Sequence, residues 1–269
     1  MDTVEVNEPI VSVDQSTLRY FREHIGQVVG FLIVFAVVEG GAIAGLIINS
    51  AGTNGTGNDN TPYMVFIILP IIALAVAYGY VHQRIQDEFF RQFAVANGYT
   101  FSPHGGNFGA LDGTLFHLGY DQSVGDTVSG SYLGCPIALF IYSYVTGSGK
   151  QRQVHRYTVF QLQFDTVMPE LLLEKKAIFS SDSLLGQLPE HIKLEGDFNK
   201  YFSLSIKKGY EVEALEVFTP DVMAELEEQC RDFSIEIVND HLFVYDNTTV
   251  STKAALDSLY AVAQYFVLK

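Results

Sequence analysis

Two stretches near the N-terminus are almost uninterrupted in their apolar character. Ile25 to Ile48 contains one charged residue, Glu39, and Tyr63 to Val81 contains none. Each is long enough to cross a hydrocarbon core of about 30 Å. The pattern predicts a transmembrane helical hairpin over 25–81, with spans at 25–48 and 63–81 joined by a turn rich in Gly, Asn and Thr. The polar and acidic tail 1–24 lacks the basic start of a signal peptide, so the first span is expected to be retained. Arg19 and Arg22 precede the first span, the turn carries no Lys or Arg, and Arg84 and Arg91 follow the second. By the positive-inside rule this is a multi-pass cell-membrane protein with both termini cytoplasmic, and the membrane is its first expected partner.

Within the first span Gly41 and Gly45 form a small-xxx-small surface, suited to packing on the second span or to homodimerisation through the first. Glu39 and Pro70 fall at a similar depth in an antiparallel hairpin. Proline leaves the carbonyl of Phe66 without its helical donor, which a protonated Glu39 could supply. Glu39, Gly41, Gly45 and Pro70 are therefore the expected helix-packing residues.

After the second span the period becomes amphipathic. Ile85, Phe89 and Phe93 make one stripe of a helical connector over 82–97 that stops at Asn97-Gly98. The connector should extend the second span into one rigid helix and dock on the domain C-terminal to it. Residues 98–269 then read as a cytoplasmic α+β domain with a mainly antiparallel sheet. Its strands are expected at Thr114–Leu118, Asp126–Tyr132, Ile137–Val145, Arg156–Phe164 and Tyr201–Ile206. In the fourth, Phe160, Leu162 and Phe164 alternate with Gln161 and Gln163, predicting one buried and one wetter face. Thr219 and Pro220 open a helix, Ser234–Val238 and His241–Tyr245 form a hairpin around Asn239-Asp240, and Lys253–Val267 is a final helix.

Composition narrows the function. Of 269 residues 48% are apolar, and 31 acidic against 16 basic side chains give a formal charge of −15. Such a surface repels phosphate backbones, so nucleic acid is excluded as a partner. Two distant cysteines, Cys135 and Cys230, indicate neither a disulfide framework nor a zinc site, and fit a reducing compartment.

No chemical motif survives inspection. Gly147-Ser148-Gly149-Lys150 lacks the first glycine and the hydroxyl residue of a phosphate-binding loop and reads as a hairpin tip. Gly105-Gly106-Asn107-Phe108-Gly109 has no helix after it. The seven histidines never take a paired ligand spacing, and no nucleophile elbow is present. Catalytic residues, cofactors and metals are accordingly expected to be none.

One stretch carries a resemblance. Leu194-Glu195-Gly196-Asp197-Phe198-Asn199-Lys200-Tyr201-Phe202, followed by Glu213-Ala214-Leu215 and Phe218-Thr219-Pro220-Asp221-Val222-Met223, resembles the bacterial membrane proteins grouped as domain of unknown function 3137. The resemblance implies two N-terminal spans and an α+β domain. It carries over no catalytic residue. Two functions are left: a membrane-anchored cytoplasmic interaction or scaffold module with an unknown protein partner, or a membrane-bound enzyme whose site assembles from residues such as His117, His155, Asp165 and Cys135.

Overall fold

A computed structural model describes residues 13–23, 30, 34, 35, 40, 41, 44, 45, 61–106, 109–176, 190–192, 194 and 198–267. The chain divides into two compact units, one built mainly from Phe90–Lys269 and one from Val11–Phe89.

The smaller unit contains helix α1, Val13–Glu23, and most of α2, Thr61–Asn97. Among the described residues no helix is long and apolar enough to cross a membrane. The predicted two-span hairpin, the multi-pass cell-membrane location and the two-sided topology built on it are thereby overturned. The charge-free run is only one part of α2, which continues unbroken through Arg84, Asp87, Glu88 and Arg91. Its described apolar side chains Ile68, Ile71, Ile72, Tyr78 and Tyr80 are exposed. Most of the first predicted span, Glu39 included, lies outside the described residues. Gly41 is exposed and a Cβ built on it meets nothing within 4 Å. Gly45 is half-buried in helical backbone, and Pro70 lies inside α2 with its side chain outside the described set.

The larger unit bears out the α+β reading. Nine strands form one sheet: β1 (Thr100–Ser102), β2 (Tyr120–Tyr132), β3 (Cys135–Thr146), β4 (Gln153–Gln163), β5 (Leu171–Lys175), β6 (Glu190–Ile192), β7 (Phe202–Ile206), β8 (Ser234–Val238) and β9 (His241–Asp246). Their order is β1-β2-β3-β4-β9-β8-β5-β7-β6, and every pairing is antiparallel. Asn239, at φ 55, makes the tight β8–β9 turn, the left-handed conformation that Asn tolerates. The remaining helices are α3 (Phe198–Tyr201), α4 (Glu211–Val217), α5 (Pro220–Gln229) and α6 (Lys253–Val267).

Both faces of this sheet are covered. On one, Val128, Leu139, Phe160, Val244, Ile235, Leu173 and Leu204 stand in register. Tyr260 of α6 closes edge-on over Phe160, 5.0 Å between ring centroids, and over Phe93 of α2 at 6.0 Å. The connector stripe is thus buried as expected at Phe93, and Phe90 and Ala94 beside it are buried too. The opposite row runs Thr100, Ser129, Ala138, Gln161, Phe243, Glu236, Leu172 and Ser205. It is covered by the connection from Gly109 to Leu118, a strap whose Phe116 packs against Phe243 and Tyr142 with centroids 5.1 and 4.9 Å apart. Burial on both faces explains why β3 reads as a continuous apolar run instead of alternating. It also corrects two expectations. Gln161 is only 2% exposed, so β4 has no wet face there. Thr114–Leu118 is not a strand, because Thr114–His117 forms a 3-10 turn within the strap.

Candidate functional site

The strap is held to the sheet by two polar side chains that β4 and β8 aim at its main chain. Gln161 accepts from the Gly109 amide at 3.1 Å and donates to the Ala110 carbonyl at 2.9 Å. Glu236 takes the Thr114 amide at 2.8 and 3.0 Å and the Thr114 hydroxyl at 2.5 Å. The carboxylate sits at the start of the 3-10 turn, where otherwise unpaired amides point outward. Burial pushes its pKa above the ordinary carboxylate value, and the Thr114 donors and the nearby His117 oppose that shift without cancelling it. Tyr245, one strand pair away, has its hydroxyl buried with no hydrogen-bond partner, and burial followed by Glu236 and Glu174 pushes its pKa well up.

Beside the Gly109 end of the strap, the same face opens into a cleft of about 350 Å³. Thr100, Ser129, Gln161, Gln163 and His241 supply its polar lining, while Pro136, Ile137 and Ala138 supply apolar floor and wall. Behind it Asp240, in the β8–β9 turn, organises two of these residues. Its Oδ1 lies 2.8 Å from His241 Nδ1 and its Oδ2 accepts from Gln163 Nε2 at 2.8 Å. The Gln163 hydrogen bond is the largest influence holding the Asp240 carboxyl below its usual range. A carboxylate only accepts, so the imidazole donates to it through Nδ1, and in the neutral form of the ring Nε2 is then the acceptor. His241 is 6% exposed, and its Nε2 has no hydrogen-bond partner. Nε2 lies against Gly109, where an ideal Cβ would overlap it and stand 2.8 Å from Gln161 Nε2. Only glycine allows the strap to pass there.

A second cleft, of about 540 Å³, lies between the start of α6 and the ends of β5 and β9. Two of its charged groups are already satisfied: Lys175 Nζ donates to the Asp232 main-chain carbonyl at 2.8 Å, to Asn247 Oδ1 at 3.3 Å, and pairs with Asp246.

The residues named for the enzyme alternative do not converge. Cys135 begins β3, whereas His155 pairs with Tyr144 nine positions further along that strand, about 30 Å away at ~3.3 Å per residue. His155 is occupied locally, 2.7 Å from Thr146 Oγ1 and stacked on Tyr144. His117 ends the 3-10 turn near Glu236, and Asp165 acts on Cys135. Burial, then Asp165, raises the Cys135 thiol pKa, the reverse of an activated nucleophile. Among the described residues no group of three His, Cys, Asp or Glu could hold a metal ion. The residues that do build the site, Gln161, Glu236, Asp240 and His241, carried no signal in the sequence: Glu236 alternates with Ile235 and Ile237, which is the ordinary pattern of a strand with one wet face.

No family model and no curated protein matches the chain. Among solved structures it is similar to that of the mycobacterial trehalose monomycolate transport factor A, TtfA, with 13% identity over 67% of this chain and 92% of that one. The TM-score is 0.45, and at that level neither a shared fold nor a shared activity follows.

Proposed function

We propose that the α+β domain is an interaction module that binds a ligand or protein partner without transforming it. The observation that supports this is the make-up of the cleft. His241 is the one ionisable side chain among its described lining residues, and Asp240 and Gln163 fix its orientation. Acid–base chemistry ordinarily needs a second titratable group or a nucleophile within reach. The enzyme alternative needs His117, His155, Asp165 and Cys135 in one place, and the β3–β4 register separates His155 from Cys135.

Kinship with the domain of unknown function 3137 group is part of the same proposal. It is supported by the quoted residues, of which Phe198–Tyr201 form α3, leading into β7, and Thr219-Pro220 open α5.

Capture of the full chain from its native cells, in parallel with a Gln161→Ala variant, tests the reading. A molecule retained by the wild type and lost from the folded variant is the expected result. A preparation that converts a substrate, and stops when His241 is replaced by Ala, would replace the module with an enzyme.

A further inference from the structure

We propose that the cleft between the strap and β1–β4 is a binding site for a neutral, hydroxyl-rich small molecule, a sugar or polyol, which donates hydrogen bonds to an acceptor-lined wall. The inference deepens the interaction-module reading and rests on it.

Size comes first. A cleft of about 350 Å³ lies at the lower end of the range for small-molecule sites and is too small for a protein segment with its side chains. Charge comes next. No Lys, Arg, Asp or Glu is among the described lining residues, so apart from His241 nothing there compensates a charged ligand. A chain with formal charge −15 gives an anion no long-range attraction either. Asp240, behind the cleft, already accepts from His241 and Gln163 with its two oxygens, so a cation would find it occupied.

The hydrogen-bonding polarity of the wall selects among neutral molecules. Gln163 spends its amide nitrogen on Asp240, which turns its carbonyl oxygen the other way. His241 Nδ1 is likewise spent on Asp240, which leaves Nε2, the acceptor of the neutral ring, without a partner. A buried acceptor without a partner is the exception in folded proteins and marks a place for a donor. Gly109 covers Nε2 with hydrogen where any other residue would put a side chain, so a donor reaches Nε2 by displacing that one Cα. Thr100 and Ser129 add hydroxyls that both donate and accept. A ligand whose hydroxyls also do both can satisfy the acceptor side and the hydroxyl side together. A simple amide presents one fixed donor and one fixed acceptor.

The full chain, 15N-labelled at histidine, is titrated with myo-inositol and glucose, with N-methylacetamide and inorganic phosphate as comparators, while the His241 Nε2 resonance is followed. The expected result is a saturable upfield shift with at least one polyol, as Nε2 gains a donor, and no saturable shift with the comparators. Gly109→Ala, whose Cβ would overlap Nε2 and fix the cover over it, should weaken polyol binding about tenfold, the loss expected for one hydrogen bond. If that variant is not folded by circular dichroism, Gln163→Leu takes its place with the same expectation. Absence of a saturable shift with both polyols, binding of phosphate instead, or variant affinity equal to wild type would overturn the proposal. The same samples separate its failure from that of the module reading. New polyol resonances over time would show turnover and refute the module while keeping the site.

Discussion

Replacing Glu236 probes the contact that holds the strap on the sheet. Glu236→Ala removes the acceptor for the Thr114 amide and hydroxyl, which lie 2.5–3.0 Å from its oxygens, on a residue only 1% exposed. Hydrogen bonds to a charged acceptor contribute about 1.5–3 kcal/mol each, and an orphaned buried donor costs about 1–3 kcal/mol. Relief from burying the carboxylate works in the other direction, so the net loss should be about 3 kcal/mol. Glu236→Gln keeps the shape and one acceptor and should cost about 1 kcal/mol at neutral pH.

Its pH dependence carries a sign. Burial raises the Glu236 pKa in the folded state above its unfolded value. The folded protein therefore holds this proton more tightly, and the stability this contributes is fully present below the ordinary carboxylate pKa. That contribution is lost as pH rises through the raised folded value. Gln cannot titrate, so the advantage of wild type over Glu236→Gln should shrink as pH increases. Urea unfolding followed by near-ultraviolet tyrosine circular dichroism, at intervals from pH 4 to pH 8, measures that difference; the chain has no Trp and 15 Tyr. An advantage that grows with pH would mean that the Thr114 donors outweigh burial, and the electrostatic account of the strap would be refuted.

Other outcomes rest on the same packing. Tyr245→Phe removes a buried hydroxyl that has no partner, so it should leave stability unchanged or raise it by up to about 1 kcal/mol, and a clear loss of urea resistance would show that the hydroxyl is bonded. Phe93→Ala deletes a fully buried ring between Tyr99 and Tyr260 and should cost about 3–4 kcal/mol in the same urea assay; an unchanged midpoint would mean that the end of α2 is only a linker. Asn239→Gly should be nearly neutral, since both residues accept φ 55, whereas Asn239→Val should destabilise by more than about 1 kcal/mol; equal midpoints for the two variants would mean that the turn can change conformation.

Elements with a local cause were legible in the sequence. The final helix has a strict helical period and folds as Lys253–Val267, and the β8–β9 hairpin announces itself through Asn239-Asp240. The helix through the connector also runs continuously, as Thr61–Asn97. Elements with a distant cause were not legible. β5 has no hairpin partner and exists because β7 and β8, far along the chain, flank it. Thr114–Leu118 has strand-like residues but answers the demand of Glu236 for amides, a contact between positions 114 and 236. The site was hidden for the same reason. Gln161 and Glu236 look like the wet side of strands until the strap covers them, and no spacing within β4 or β8 foretells that cover. The apolar runs misled in another way: length and lack of charge over 63–81 suggest a span, whereas no helix among the described residues is long and apolar enough to cross a membrane.

Mass spectrometry under non-denaturing conditions, on the full chain purified from its own cells, tests the central claim most directly. The account predicts wild type carrying a small neutral molecule that is released unaltered on unfolding, and Gly109→Ala carrying clearly less of it. Wild type and variant at the same bare mass, or a chain carrying a covalent reaction intermediate, would contradict a domain that binds through this cleft without chemistry.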